Sequence, residues 1–225
     1  MTIVMAVASV YITKVCREKK ELAASIQLMF DVYIFEMSWD EKWFGKQMNL
    51  NAVIAEKSET VLENAKKRNA LSNWYTSVVD EMDIKQGIFA SQKENYHWDA
   101  GLRKRYKWLA ISMICSLILL IFIIGIMKNE TIQEWLMRLI FVLSMVRWLT
   151  LLLSGLNDDF DRLQELDQEF TIVRKCGKDD LYRIERSITN HRKLAVKIPN
   201  YIYNLFKNND EDRERRIAIM DADQQ

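Results

Sequence analysis

The side chains with the greatest chemical potential in this 225-residue chain are few and scattered. His97 and His191 are the two histidines, and neither has a cysteine or a second histidine at metal-ligand spacing. A surface or packing role is expected for both. Cys16, Cys115 and Cys176 are odd in number and widely spaced, so they form neither a disulfide framework nor a zinc signature. Carboxylates crowd "NDDFDRLQELDQE", residues 157–169. Such a run could hold a metal or serve as an acid–base pair. It is read instead as a helix start with acidic groups near its positive end, followed by a solvated face. No serine or cysteine sits in a nucleophile motif, and no Gly-rich phosphate loop occurs. The expectation is a protein that is not an enzyme, with no catalytic residue, no metal and no cofactor. A net charge of +1 gives no reason to expect DNA or RNA as a partner.

One charge stands out by its place. Arg147 lies inside "FVLSMVRWLTLLLSGL", residues 141–156. An arginine at the centre of a membrane helix costs roughly 2.5–3.5 kcal/mol on an insertion scale. At about 100° per residue, Ser144, Arg147, Thr150 and Ser154 share one stripe of an otherwise apolar helix. In the preceding apolar segment Ser112, Cys115 and Ser116 also share a face. Small and polar residues on one face suit helix–helix contact or a water-lined path better than lipid. Alternatively, Arg147 snorkels to the cytoplasmic interface about ten residues away. Arg138 falls on nearly the opposite face, close enough to the outer end to snorkel there. One hairpin cannot enclose a path, so the first reading implies further helices, including those of a homo-oligomer.

These residues need helices to carry them. A mean hydropathy of −0.16 conceals strong segregation. "WLAISMICSLILLIFIIGIM", residues 108–127, has no charge and as a helix spans about 30 Å, the thickness of the hydrocarbon core. Arg103, Lys104, Arg105 and Lys107 precede it and place residues before 107 in the cytoplasm. The link around "KNET" (128–131) permits little besides a turn, so 132–156 returns the chain as a hairpin. Glu134, Arg138 and Arg147 weaken that second span. "MTIVMAVASVYIT" is short for a span and is followed by Lys14, Arg17, Lys19 and Lys20, unlike a signal peptide. It reads as the cytoplasmic end of a longer helix.

The expected fold is all-α, with few breakers: one proline and six glycines. Residues 1–15 form a partial transmembrane helix, 16–106 a helical cytoplasmic module, 107–156 a transmembrane hairpin, and 157–225 cytoplasmic helices with a charged tail. Within the module, Leu22, Ile26, Met29, Phe30, Tyr33, Ile34 and Met37 make one apolar stripe. Residues 51–68 read as a second helix capped by Asn51. From Asp83 one helix can run through Gly87 and Gly101 into the span. After the hairpin, Phe160, Leu163, Leu166, Phe170 and Val173 form a stripe ended by Gly177 as a C-cap. A last helix reaches about Val196.

Several stretches then make a set. "IQLMFDVYIFEMSWD" (26–40) resembles the Gln-x-x-Phe-Asp…Phe-x-x-x-Trp-(Asn/Asp) signature of the SMODS-associating four-transmembrane effectors. "NWY" (73–75), "SQKENYHWDAGLRKRY" (91–106) and "LYRIERSITNHRKLAVKIPNYIY" (181–203) resemble further family segments, in order. The resemblance covers the chain from about residue 20. It implies four spans, two before the cytoplasmic insert and two after, so this chain is expected to start within the second. It also implies a bacterial anti-phage defence role at the inner membrane, with a functional link to a nucleotidyltransferase that makes a cyclic oligonucleotide. A pore-forming or membrane-disrupting effector is then the leading expectation, its partners being lipids, copies of itself and the cyclic oligonucleotide. Trp39, Asp40, Trp74, Tyr75, Gln92, Asn95 and Arg103 are the candidate trigger-binding residues; otherwise they are core and caps of the module. A membrane-anchored signal receptor or scaffold without a pore is the alternative.

Overall fold

The computed structural model describes residues 2–65, 82–128, 131–173 and 177–206. It is helical throughout these stretches, apart from short turns. The elements are α1 (Thr2–Ile34), α2 (Glu41–Phe44), α3 (Asn51–Leu62), α4 (Ile84–Met127), α5 (Ile132–Ile172) and α6 (Lys178–Leu194). A last helical stretch, α7, covers residues 200–206. The helical membrane protein read from the sequence is the fold observed.

α4 starts at Asp83, whose carboxylate accepts the Lys85 N–H at 3.3 Å, and runs 44 residues without a break. Gly87 and Gly101 do not interrupt it. Both sit inside a helix held by packing, which overrides their propensity cost of about 1 kcal/mol. α5 packs antiparallel against α4. Its start is fixed by a capping box: the Glu134 carboxylate accepts the Thr131 N–H at 2.9 Å, and Thr131 Oγ1 accepts the Glu134 N–H at 3.4 Å. Glu134 is therefore a cap at the hairpin tip rather than a charge within the span. Across the tip, Phe122 and Trp135 meet edge to face, 4.9 Å apart.

α4 is long and apolar enough to cross a membrane. Ile132–Ile140 and Met145–Ile172, inclined at 47°, together make a second candidate. α1 does not meet the same measure among the described residues.

Four expectations are corrected. The acidic run 157–169 is not a helix start: α5 continues through it to Ile172, and Asp159 is buried in the helix interior. Gly177 begins α6 rather than ending the helix before it, its N–H donating to Asp180 Oδ2 at 3.1 Å. Asn51 does not cap α3; Asn49 Oδ1 accepts the Asn51 N–H at 3.2 Å. The apolar stripe assigned to α1 is only partly turned to the core: Leu22, Ile26 and Met29 are half-buried and Met37 packs on Phe35, Ile88 and Leu181. Phe30, Tyr33 and Ile34 are exposed, Tyr33 to 80%. The buried face is Ala24, Leu28, Asp31, Val32 and Phe35. α1 ends in a Schellman motif, Met37 N donating to Val32 O and Glu36 N to Tyr33 O, with Glu36 left-handed at φ 51°.

α6 is the hub of the helical module outside the hairpin and touches α1, α2, α4 and α5. Leu181, Ile184, Glu185, Ile188 and His191 repeat at three and four residues, and all are buried. Leu166 and Phe170 of α5 pack on Ile184 and Ile188, with Phe89 of α4 against them. Phe35 of α1 meets Ile88 and Leu181. A third cluster lies where the hairpin enters the module: Leu102, Tyr106, Leu156 and Ile202.

Candidate functional site

Beneath the hairpin the module has a polar interior at two levels. The level nearer the hairpin is organised by Arg103 of α4. Its Nε donates to Asp99 at 2.8 Å, one turn earlier on the same helix. Its Nη1 donates to Asp159 Oδ2 of α5 and, at 3.0 Å, to the Val196 carbonyl. Asp159 Oδ2 also accepts the Val196 N–H at 2.9 Å, and Oδ1 takes Arg162. His191 Nε2 of α6 completes the level, 2.8 Å from Asp99 Oδ2. Three helices and the strap after α6 are thus tied by one buried arginine. Burial works against the Asp99 charge, but the His191 hydrogen bond and Arg103 outweigh it and hold this carboxyl below its usual range. Those carboxylates in turn hold the Arg103 guanidinium charged, against the cost of its own burial.

The second level joins α1, α4 and α6. Arg192 donates to Asp31 at 2.5 Å and stands 3.7 Å from Glu185. Gln92 Nε2 donates to Glu185 Oε2 at 2.6 Å. Glu185 is fully buried, with one guanidinium set against two carboxylates. Desolvation first, then the neighbouring Asp31, push the Glu185 carboxyl up to about 7. It therefore takes up and releases a proton near neutrality. Its protonated form can donate to Asp31 while still accepting from Gln92. Gln92 Oε1 is buried without a hydrogen-bond partner.

Among the described residues no group of histidine, cysteine and carboxylate side chains could hold a metal ion. Every buried carboxylate named here faces a guanidinium, an amide or an imidazole. The arrangement is suited to fastening helices and to changing its charge.

The sequence matches the SMODS-associating 4TM effector domain over residues 1–219. The chain belongs to this family. A relative in Bacillus cereus (strain VD146), named "Probable CBASS effector molecule", is 21% identical over 214 residues, covering 88% of this chain and 68% of the relative. No solved structure matches it.

The effector's sequence-derived candidates fall in several places. Gln92 and Arg103 lie in the polar interior, at different levels. Trp39 and Asp40 lie in the turn after α1: Trp39 Nε1 donates to the Gly45 carbonyl at 2.9 Å, and Asp40 caps α2 by accepting the Lys42 N–H at 2.9 Å. Asn95 is on α4, half-buried. Trp74 and Tyr75 lie outside the described residues. In the hairpin, Arg147, Thr150 and Ser154 of α5 and Ser112 and Ser116 of α4 are all exposed, whereas Leu149, Leu156, Ala110 and Ile121 fill its seam. Thr150 Oγ1 bonds back to the Arg147 carbonyl at 2.8 Å. The side chain of Ser144 lies outside the described residues. Sequence reasoning missed Asp31, Asp99, Asp159, Glu185, His191 and Arg192 as one assembly. The local signals were the Asp99–Arg103 spacing of four and the Asp159–Arg162 spacing of three. Asp31, Gln92, Asp99, Arg103, Glu185, His191 and Arg192 do fall within the stretches that carried the family resemblance, and Asp159 does not.

Proposed function

We propose that this effector acts on the bacterial inner membrane in an anti-phage system of the kind its relative is named for. It is multi-pass, with the module and C-terminal helices in the cytoplasm. It works without catalysis: several copies assemble their hairpins into a pore or a lesion when a cyclic oligonucleotide from a partner nucleotidyltransferase is present. The observation that carries this reading is α4. One unbroken helix runs from the polar interior, where Gln92 and Arg103 sit, through twenty uncharged residues of membrane-spanning length. A ligand favouring one arrangement of the module shifts the population of hairpin arrangements with it. The outward-facing Arg147, Thr150 and Ser154 support assembly, because a polar stripe is costly against lipid and relieved against another copy.

The test is ion and dye efflux from liposomes carrying the protein, with and without a panel of cyclic oligonucleotides. Efflux dependent on one of them is expected. Binding of a cyclic oligonucleotide without efflux, at verified insertion, would favour the receptor or scaffold reading. Turnover of a nucleotide by the protein would overturn the non-enzymatic one.

A further inference from the structure

The segment after α6 crosses the base of the hairpin on its cytoplasmic side. Val196 is held by its backbone N–H on Asp159 and its carbonyl on Arg103. It lies so close to α5 that a Cβ on Gly155 would stand 2.8 Å from Val196 Cγ2. Pro199 then starts α7, its carbonyl accepting the Ile202 and Tyr203 N–H groups. One face of α7 packs on the protein. Ile202 is buried with Leu102, Tyr106 and Leu156, Tyr203 meets Trp98 edge-on at 5.2 Å, and Arg105 lies over the Phe206 ring at 5.1 Å.

The outer surface of α7 has two edges. At about 100° per residue, Tyr201 and Leu205 fall on one, and Asn200 and Asn204 on the other. Tyr201 is 72% exposed and Leu205 66%. Ile202, next to Tyr201, packs on Tyr106, and two residues past Tyr106 the exposed Trp108 opens the uncharged stretch. α7 thus sits at the level where the uncharged stretch of α4 begins. Exposed Lys104 and Lys197 lie at the same level, with exposed Asp158 opposing them on α5. The apolar pair therefore carries the argument, with charge secondary.

We propose that α7 is a membrane-surface anchor whose Tyr201 and Leu205 edge enters the headgroup–acyl boundary of the cytoplasmic leaflet, leaving Asn200 and Asn204 in water. A tyrosine and a leucine on one edge of a short helix parallel to the surface match the amphipathic character of that boundary. Fastened on its inner face to α4 and α5, α7 would couple the strap to the bilayer as well as to the polar interior. This rests on the membrane reading of the hairpin, and the test separates the two.

Single cysteines at positions 119, 200, 201, 204 and 205, in a chain with Cys16, Cys115 and Cys176 replaced by serine, are labelled with an environment-sensitive fluorophore. The full chain is reconstituted in phosphatidylethanolamine–phosphatidylglycerol vesicles containing shallow or deep quencher lipids. Position 119 is expected to give a blue-shifted emission quenched most by the deep lipid. Positions 201 and 205 should be blue-shifted and quenched most by the shallow lipid, and 200 and 204 by an aqueous quencher. A deep signal at 119 with 201 and 205 as open to water as 200 and 204 refutes the anchor alone. Aqueous quenching at 119 refutes the membrane reading and the anchor together. Shielding of 201 and 205 from both lipid and aqueous quenchers assigns the edge to a second protein surface and also refutes the anchor.

Discussion

Glutamine at position 185 should make the protein more stable at alkaline pH and flatten its pH response. Glu185 ionises at about 7 in the fold, against 4.5 for an unperturbed glutamate. A carboxyl whose pKa is raised by folding binds more protons folded than unfolded. Its contribution is fully present below about pH 4.5 and is lost as pH rises through 7. A shift from 4.5 to about 7 corresponds to about 3 kcal/mol across that window, at 1.36 kcal/mol per unit. For a chain of this size each kcal/mol moves the midpoint by about 2–4 °C, so the fall from pH 5 to pH 9 should reach about 6–12 °C. The lowered pKa of Asp99 acts below this range, since its stabilisation is lost only in acid. Glu169, also raised by burial, adds a slope of the same sign that the variant keeps. Glu185→Gln reproduces the protonated geometry, its carbonyl accepting from Gln92 and its amide able to donate to Asp31. Thermal unfolding of the full chain in detergent, followed by tryptophan emission at a series of pH values, measures both proteins. The expected variant is nearly as stable as wild type at pH 5 and several degrees more stable at pH 9. Equal slopes for the two would refute the assignment of this titration to Glu185.

Other substitutions probe the remaining ties. Arg103→Ala removes the guanidinium shared by Asp99, Asp159 and the Val196 carbonyl, leaving Asp159 only Arg162 and the Val196 N–H, and a loss of about 3 kcal/mol in unfolding free energy by urea denaturation is expected. Gly155→Ala forces its new methyl against Val196 and should cost about 1–3 kcal/mol by the same measurement, with Val196→Ala in the same chain restoring most of it. Arg147→Leu should leave membrane insertion intact and change conductance or toxicity. Unchanged toxicity at equal membrane abundance would remove Arg147 from the mechanism.

The sequence revealed most where a single physical preference dominated. The uncharged run 108–127 and the absence of strong breakers from Asp83 onward made α4 legible, and the stripe Leu163, Leu166, Phe170 made the lower half of α5 legible. Legibility failed where a charge was neutralised from far along the chain. Asp31 broke the true apolar face of α1, so the stripe was placed on Phe30, Tyr33 and Ile34. Its partner, Arg192, is 161 residues away. Asn157 and Asp158 read as the start of a new helix because nothing local shows that Arg103 receives Asp159 inside a continuous one. Glu36 in a left-handed cap gave no signal, since glycine or asparagine is the usual residue there.

The continuity of α4 has a consequence for how small a stimulus can be. At 1.5 Å per residue its 44 residues make a rod of about 66 Å. Pivoted at its Ile84 end, a tilt of about 5° carries the far end roughly 6 Å, more than one helical turn's rise. No hinge lies along it to absorb the motion. Sub-ångström repacking around Gln92, or a proton gained or lost at Glu185 beside it, is therefore read out with amplification at the far tip of the hairpin.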